Sequence, residues 1–264
     1  DKPYIIAEIG SNFDQKLSKA KKMILAAKKC GANAVKFQLF NPKKLYPSNN
    51  DKKMRSIFEK IKLNRSFIPK LITFAKNKKV EIFFSVFDKE NLNYLKKFNL
   101  KFFKIASSEV INLKLIGEIT KTGKGVILST GMSDFKDINN AVEIIKKGKG
   151  KKVIMQCTSI YPTKEDDANL NVLKTYKKKY PDFILGFSDH TINNLSAIVA
   201  VGLGCKYFEK HFTLNKKSRG PDHFFAYNEN QFKRYVQDIN RAYKCLGSEK
   251  KQMLFIEKKF GRRK

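Results

Sequence analysis

Short apolar runs alternate with amphipathic segments along the whole chain. The runs predict strands at residues 4–7, 34–37, 82–84, 102–103, 126–128, 153–155, 183–187 and 207–208. The amphipathic segments predict helices at residues 17–30, 52–61, 67–77, 89–97, 113–121, 138–147, 170–179, 195–203 and 231–246. Strands that alternate with helices in this way are typical of a parallel sheet. Eight such units within 264 residues favour a closed (β/α)8 barrel, the TIM barrel.

Polar side chains collect where these strands end. In a barrel the C-terminal ends of all strands share one mouth, and catalytic groups gather there. One such residue has an ordinary explanation, because a strand-end serine can cap the next helix and a strand-end lysine can reach solvent. The whole set predicts a site at the mouth. Its members are Glu8, Lys36, Gln38, Ser85, Lys104, Ser107, Ser129, Ser159, Ser188, His190, Glu209 and His211.

The chain has three histidines, and all of them lie in residues 186–223. His190 and His211 follow consecutive strands joined by one predicted helix, so we expect their side chains to converge. Converging imidazoles beside carboxylates suit a first-row divalent metal, whereas a lone strand-end histidine is more often a hydrogen-bonded structural residue. His223 follows a Gly-Pro turn and is compatible with a ligand, a substrate contact or neither role.

The net charge of +31 raises the question of nucleic-acid binding. Lysine outnumbers arginine heavily and is spread over all of the predicted helices except residues 195–203, so we interpret the charge as a solvated surface and expect no nucleic-acid partner. The positive field would still attract small anionic substrates. No apolar run of about 18 residues occurs, and no leader precedes the first strand, which predicts a cytoplasmic protein without membrane contact. Four cysteines without Cys-x-x-Cys spacing indicate reduced thiols.

The predicted mouth combines three kinds of chemical group. Lys36 and Lys104, together with nearby serine hydroxyls, form a set suited to a phosphate. Glu8 and Glu109 are available for proton transfer, and burial would raise the pKa of each carboxyl. A metal at the histidines would polarise a carbonyl or activate water. These residues by themselves indicate a phosphorylated carboxylic acid reacting with a carbonyl compound.

Eight short motifs occur in order along essentially the whole chain. They are IAEIG at 6–10, VKFQ at 35–38, FKIASSE at 103–109, LSTGM at 128–132, QCTSIYP at 156–162, FSDHT at 187–191, EKHFT at 209–213 and GPDH at 220–223. They resemble the motifs of the sialic acid synthase (N-acetylneuraminate synthase) family. The resemblance implies a barrel enzyme that condenses phosphoenolpyruvate with an N-acylated amino sugar, such as N-acetylmannosamine, and releases phosphate. The product is a nine-carbon nonulosonic acid.

The resemblance also implies roles for individual residues. His190 and His211 would bind a divalent ion, manganese with magnesium as the alternative, and would count as catalytic together with Glu8 and Glu109. Glu8 would orient the attacking water or move its proton, and Glu109 would also contact the sugar. The phosphoenolpyruvate contacts would be Lys36, Ser85, Lys104, Ser107, Ser129, Ser159 and Ser188. The other sugar contacts would be Gln38, Tyr161 and Asp222.

Two departures from the family pattern concern substrate access. Asn12, Phe13, Asp14 and Gln15 stand where the family usually has Asn-His-Asn-Gly, which changes the first loop. Family members also carry a C-terminal antifreeze-like domain that caps the partner's site in a homodimer. We therefore predict a catalytic barrel over residues 1–250, the start of a linker over residues 251–264 to a capping domain absent from this chain, and a homodimer.

Two alternative functions are consistent with these observations. One is a related phosphoenolpyruvate-dependent sugar-acid synthase that acts on another aldose. The other is a non-catalytic barrel that binds a sugar or a nucleic acid, an interpretation motivated by Phe13, the missing cap and the high charge. Incubation with candidate sugars and detection of the phosphate released from phosphoenolpyruvate would separate the two synthases, and salt-resistant oligonucleotide binding would favour the non-catalytic barrel.

Overall fold

Eight parallel strands close into one barrel, which confirms the predicted (β/α)8 fold. The computed structural model describes residues 2–261. Each strand pairs with its neighbours in sequence, and β8 pairs with β1. The strands are β1 (Tyr4–Gly10), β2 (Ala34–Leu39), β3 (Glu81–Val86), β4 (Phe102–Ile105), β5 (Gly125–Ser129), β6 (Lys152–Cys157), β7 (Ile184–Asp189) and β8 (Tyr207–His211).

Helices connect the strands and cover the outside of the barrel. Two of the described helices were not predicted, a short one directly after β2 and one near residue 260. The described helices are α1 (Leu17–Lys29), α2 (Pro42–Leu45), α3 (Lys52–Glu59), α4 (Ile68–Asn77), α5 (Lys89–Leu95), α6 (Leu113–Thr120), α7 (Phe135–Lys146), α8 (Val172–Lys179), α9 (Leu195–Gly202), α10 (Glu229–Cys245) and α11 (Phe255–Phe260).

Helix caps explain where two of the predicted helix starts were wrong. Helix α7 begins three residues earlier than expected because Asp134 accepts hydrogen bonds from the free backbone amides of the first turn. Helix α10 begins two residues early because Asn228 and Gln231 form a capping box. Both predictions followed the apolar period of the helix body and gave no weight to the capping residue before it.

Side chains inside the barrel change from apolar to polar along each strand. A buried cluster that includes Ile6, Phe83 and Phe102 fills the N-terminal half of the interior. Because strand side chains alternate between faces, the residues two positions further on point into the same interior. These positions hold Glu8, Ser85 and Lys104, so the alternation places charged groups above an apolar floor.

The register of the strands sets which polar residues become neighbours. Glu8 lies opposite both Lys36 on β2 and His211 on β8. Ser188 lies opposite Glu209, one pair from the end of β7. Residues that are far apart in sequence therefore meet at adjacent positions of one rim.

No helix in the described range 2–261 is both long and apolar enough to cross a membrane. Helix α11 falls in the segment that we expected to begin a linker, and the last three residues of that segment lie outside the described residues. The division into barrel and linker stays a prediction.

Candidate active site

One cavity of about 530 Å³ lies at the C-terminal ends of the strands, and every predicted site residue except Asp222 lines it. Asp222 lies at its edge, with Oδ2 3.5 Å from the Ser11 hydroxyl and 3.9 Å from Nδ1 of His211. The structure thus brings the candidate residues together. Those that line the cavity are Glu8, Lys36, Gln38, Ser85, Lys104, Ser107, Glu109, Ser129, Ser159, Tyr161, Ser188, His190 and His211.

Two lysines and two glutamates form a buried ionic cluster at the base of the cavity. Lys36 Nζ lies 3.1 Å from Glu8 Oε2 and 3.4 Å from Glu209 Oε1. Lys104 Nζ lies 3.3 Å from the same oxygen of Glu209. Lys36 also donates to the Ser85 hydroxyl at 2.9 Å. The register of β1, β2, β3, β4 and β8 builds this cluster, so no local sequence feature specifies it.

The two carboxyl groups of the cluster differ in protonation. Burial raises the pKa of Glu8 above its ordinary value, although Lys36 opposes the shift. Burial acts upward on Glu209 too, but Lys104 and Lys36 outweigh it and lower the pKa of that carboxyl. Because both carboxyls share Lys36 and only Glu209 also contacts Lys104, Glu209 is the permanent anion and Glu8 is the group that binds and releases a proton.

The ammonium groups respond to the same surroundings. Burial lowers the pKa of Lys104, and its single carboxylate partner does not restore the ordinary value. Burial also disfavours charged Lys36, but Glu209 and Glu8 outweigh it and raise its pKa. An anion that entered beside Lys104 would stabilise its charged form. The two ammonium groups at the base of the cavity therefore favour the binding of a negatively charged ligand.

Serine hydroxyls surround this ionic cluster. The hydroxyls of Ser129 and Ser159 are buried and have no hydrogen-bond partner among the described residues. Ser107 accepts from the amide of Gly131 at 3.0 Å, and a β-carbon at Gly131 would lie only 2.3 Å from the Ser159 oxygen. The absence of a side chain at Gly131 therefore allows its loop to approach Ser107 and Ser159 closely. Unpaired buried hydroxyls indicate that a polar ligand completes their hydrogen bonding.

The two strand-end histidines meet on the other side of the cavity, with ring centroids 5.5 Å apart. Nδ1 of His190 lies 2.7 Å from the carbonyl oxygen of Thr158, so Nδ1 carries the proton and Nε2 is free to accept. Nδ1 of His211 is buried without a partner among the described residues. Burial lowers the pKa of His211 well below its ordinary value, and the positive charges of Lys36, Lys210 and Lys104 act in the same direction.

These imidazoles fit a divalent ion. Neutral His211 has an unpartnered nitrogen, and the carbonyl of Thr158 orients His190 as outer groups commonly orient ligating histidines. Within residues 2–261, no cluster of three or more His, Cys, Asp or Glu is arranged to hold a metal. Water or substrate would have to supply the other coordination positions, which is typical of a catalytic site. Imidazole nitrogens favour zinc, whereas the oxygen atoms of water or substrate favour manganese and magnesium. The two histidines by themselves therefore do not select manganese or magnesium over zinc.

The predicted sugar contacts lie around the upper part of the cavity. The ring of Tyr161 lies 4.2 Å from that of His190 between centroids, and its side chain is 44% exposed. Gln38 Nε2 donates to Glu8 Oε1 at 2.7 Å, which ties the two residues together. Glu109 accepts from Asn112 at 2.8 Å, and burial raises the pKa of its carboxyl.

The sequence placed Glu209 among the strand-end residues without assigning it a role, and it gave no role to Cys157. Glu209 faces inward and contacts Lys36 and Lys104 across the barrel. Cys157 lines the cavity with Sγ 4.0 Å from Nδ1 of His190. Burial acts to raise the pKa of this thiol, but His190 outweighs it and lowers the pKa to about 7. The alternation of strand positions, which places Cys157 two residues after inward-facing Met155, is the signal that would have found it.

A second missed feature is an apolar side of the cavity mouth, which we call the aromatic wall. It consists of Phe40, Leu45, Tyr46, Phe58 and Phe87. Contacts between its rings hold it together, with centroids 5.3 Å apart for Phe40 and Phe58 and 4.8 Å apart for Tyr46 and Phe58. Most of the wall belongs to the segment after β2, which lies outside the regular repeat and carried no predicted role.

The third histidine does not line the cavity, and both of its ring nitrogens contact other side chains. Nε2 of His223 lies 2.9 Å from Asp14, and its Nδ1 lies 2.7 Å from the hydroxyl of Thr213. Phe13, which replaces the usual histidine of the first loop, is buried against Phe37 with ring centroids 5.8 Å apart. The first loop thus contributes packing and an anchor for the last loop.

Comparisons with known proteins agree with this geometry. Residues 23–251 match the model of the NeuB family. The N,N'-diacetyllegionaminic acid synthase of Campylobacter jejuni is 33% identical over 273 residues, which cover 98% of this chain and 81% of that protein. The human N-acetylneuraminate-9-phosphate synthase is 32% identical over 267 residues, covering 96% and 74%. The crystal structure of the Leptospira borgpetersenii N-acetylneuraminic acid synthetase in complex with citrate matches with a TM-score of 0.92 at 31% identity, covering 98% of this chain and 90% of that one. This chain belongs to the NeuB family.

Proposed function

We propose that this protein condenses phosphoenolpyruvate with an N-acylated amino sugar to give a nonulosonic acid and phosphate. The observation that carries the proposal is that one cavity contains both the buried lysine and serine groups and the two convergent imidazoles. The names of its relatives, synthases of legionaminic and N-acetylneuraminic acids, support the same class of reaction. A protein that only bound an anion would not need the two imidazoles, and a protein that only bound a metal would not need the buried lysine and serine groups.

Phosphoenolpyruvate occupies the base of the cavity in this proposal. Lys36 and Lys104 supply positive charge, and hydroxyls with unmet hydrogen bonds, such as that of Ser129, supply neutral donors. The remaining contacts come from Ser85, Ser107, Ser159 and Ser188. Permanently charged Glu209 holds both ammonium groups in place, so that the incoming anion meets preorganised donors.

The aldehyde of the open-chain sugar lies toward His190 and His211. A divalent ion held by these two residues, manganese or magnesium, would supply Lewis acidity at the aldehyde oxygen. Tyr161, Gln38 and Asp222 contact the sugar, and Glu109 binds one of its hydroxyl groups. The thiol of Cys157 packs against His190 and restricts its ring.

The bond changes in the proposed reaction balance with one water. A carbon–carbon bond forms between C3 of phosphoenolpyruvate and the aldehyde carbon, whose oxygen takes up a proton and becomes a hydroxyl. Water adds at C2, and the carbon–oxygen bond to phosphate then breaks so that phosphate leaves with the bonding pair. Glu8 accepts the proton of the attacking water, a task that suits a buried carboxyl with a raised pKa.

The test is a screen of the purified chain with manganese, phosphoenolpyruvate and a panel of N-acylated hexosamines. We expect metal-dependent release of phosphate with at least one sugar and none with the His190→Ala variant. Consumption of phosphoenolpyruvate without any sugar, or the same rate in His190→Ala, would contradict the proposal. The homodimer and the capping domain stay predictions from the resemblance, and the cytoplasmic location stays a prediction from the sequence.

A further inference from the structure

We infer that Lys210 is a positioning residue, whose buried ammonium group holds His190 in place relative to His211, the other proposed metal ligand. The inference rests on the proposed function, because it takes these two histidines as the ligands of the divalent ion. Lys210 is not itself a lining residue of the cavity. It would act on the reaction only through the backbone that carries the two imidazoles.

The sheet holds the two histidines unequally. His211 is the last residue of β8 and lies opposite Glu8 on β1, so strand pairing fixes its backbone. His190 follows the last residue of β7, and the paired register of β7 and β8 ends one step earlier, at Asp189 and Lys210. Strand pairing therefore does not fix His190 against His211, although their ring centroids lie only 5.5 Å apart.

The ammonium group of Lys210 makes the connection that the strands do not make. Its Nζ lies 3.1 Å from Oδ2 of Asp189 and donates to the carbonyl oxygen of Thr191. Asp189 and Thr191 are the residues on either side of His190 in the chain. The other carboxylate oxygen of Asp189 accepts from the amide and from the hydroxyl of Thr191, both at 2.8 Å. These contacts hold a tight turn around His190 and tie it to β8.

The same ammonium group is linked to His211. It lies 4.3 Å from the ring centre of Tyr227, a distance at which a cation is attracted to the face of an aromatic ring. The backbone amide of Tyr227 donates to the carbonyl oxygen of His211 at 2.8 Å. Because side chains alternate along a strand, Lys210 points away from the cavity while His211, the next residue, points into it. One buried side chain thus contacts groups that adjoin both imidazoles.

The loop after β6 makes further contacts with His190. The carbonyl oxygen of Thr158 accepts from the ring at 2.7 Å, and the amide of Thr163 donates to the backbone carbonyl of His190 at 2.9 Å. These contacts orient the ring and hold the backbone from the side of β6. Lys210 supplies the link on the side of β8, where the second histidine lies.

The cost of burying this ion pair is an independent argument. The side chains of Lys210 and Asp189 are only 2% and 0% exposed. Taking two charges out of water costs free energy that their attraction often does not return, and well-packed apolar side chains are commonly as stabilising in such places. Apolar side chains make no directional contacts, however, so they would not hold the turn around His190. Groups behind a ligating histidine commonly orient it in this way.

The test measures the Mn²⁺ affinity of the full chain, without substrate, by electron paramagnetic resonance of the free ion. Lys210→Met removes the ammonium group, and we expect it to weaken Mn²⁺ binding by about 10–100-fold. Adding Asp189→Asn removes the uncompensated carboxylate, so stability to urea should be recovered in part while the affinity stays low. Wild-type affinity in the folded double variant would overturn the inference.

Ile116→Ala is the control for a general loss of stability. Ile116 is fully buried on helix α6, between β4 and β5 and across the barrel from β8, and its truncation leaves a destabilising cavity there. We expect this variant to keep the wild-type affinity for Mn²⁺. An equal loss of affinity in Ile116→Ala and Lys210→Met would assign the effect to destabilisation and overturn the inference.

His190→Ala separates this inference from the proposed function. Loss of Mn²⁺ binding in His190→Ala, with wild-type affinity in both Lys210 variants, would overturn the inference and leave the proposed metal site standing. Wild-type affinity in His190→Ala, or no Mn²⁺ binding by the wild type, would overturn both.

Discussion

Nε2 of His223 lies 2.9 Å from a carboxylate oxygen of Asp14, a contact that joins the loop after β1 to the loop after β8. The opposite ring nitrogen of His223 contacts Thr213 at 2.7 Å. The neighbour of His223 in the chain is Asp222, which reaches the edge of the cavity beside His211. The contact between Asp14 and His223 therefore fixes the backbone that presents a predicted sugar contact.

We expect Asp14→Ala to raise KM for the sugar several-fold while KM for phosphoenolpyruvate stays the same. The free energy of unfolding should fall by about 1 kcal/mol, since the carboxylate is partly exposed and its contacts are screened. Steady-state kinetics and urea denaturation would measure these changes. Asp182→Ala removes an exposed carboxylate elsewhere and serves as the control. Equal increases of both KM values would indicate a general loss of structure instead.

The same contact predicts how stability depends on pH. Partial burial acts to raise the pKa of Asp14, but hydrogen bonds from Lys19 and His223 outweigh it and lower the pKa. A lowered folded-state pKa gives stability that is present above the unfolded value, about 3.9, and is lost as pH falls through the folded value. The stability difference between wild type and Asp14→Ala should therefore begin to shrink near pH 4 and disappear once the pH is below the lowered pKa of folded Asp14. A difference that grows on acidification would contradict the assignment.

Glu8→Gln should abolish most of the activity while preserving the binding of phosphoenolpyruvate. The amide keeps the shape of the carboxyl but accepts no proton, so we expect kcat to fall by about 10²–10⁴-fold. The wild-type rate should rise with pH as Glu8 loses its proton at its raised pKa, and this limb of the profile should be absent in the variant. Glu143→Gln, on the exposed face of α7, is the control. A variant that keeps the wild-type pH limb would assign the limb to another group.

Metal binding should depend on His190 and His211 and not on His223. We expect His190→Ala to weaken Mn²⁺ binding by more than about 100-fold, since changes to the groups that merely orient ligands cost about 10–100-fold. Electron paramagnetic resonance of free Mn²⁺ would measure the affinity without substrate. His223→Gln is the matched control and should keep the affinity of the wild type. Equal losses in the two variants would remove the assignment of His190 as a ligand.

The buried pair of Lys210 and Asp189 should be important for stability. Lys210 Nζ lies 3.1 Å from Asp189 and 4.3 Å from the ring centre of Tyr227, outside the barrel wall and behind the two histidines. Lys210→Met leaves a buried carboxylate uncompensated, and we expect the free energy of unfolding to fall by about 3–5 kcal/mol.

Adding Asp189→Asn to that variant should recover part of the loss, because the unpaired charge is then gone. Urea denaturation of both single variants and the double variant would measure the coupling. Lys151→Met, at an exposed position, should change stability little. Additive losses in the double variant would show that the two side chains do not interact.

The sequence by itself determined the barrel and the side of the barrel that bears the site. Eight apolar runs separated by helical segments leave a closed parallel sheet as the simplest arrangement, and parallel strands bring all their C-terminal ends to one rim. Because side chains alternate between the two faces of each strand, Lys36, Lys104 and Glu209 point into the interior whichever conformation the loops adopt. His190 and His211 converge for the same reason.

Only the tertiary structure decided which of these groups touch. Lys210 points outward and pairs with Asp189. Glu209, its neighbour in the chain, points inward and pairs with Lys36 and Lys104. These distances depend on how the barrel closes, because side chains from different strands meet only after every strand has taken its register. The aromatic wall and the contact of His223 with Asp14 involve irregular loops, whose paths follow from packing against the finished barrel and not from any periodic pattern in the chain.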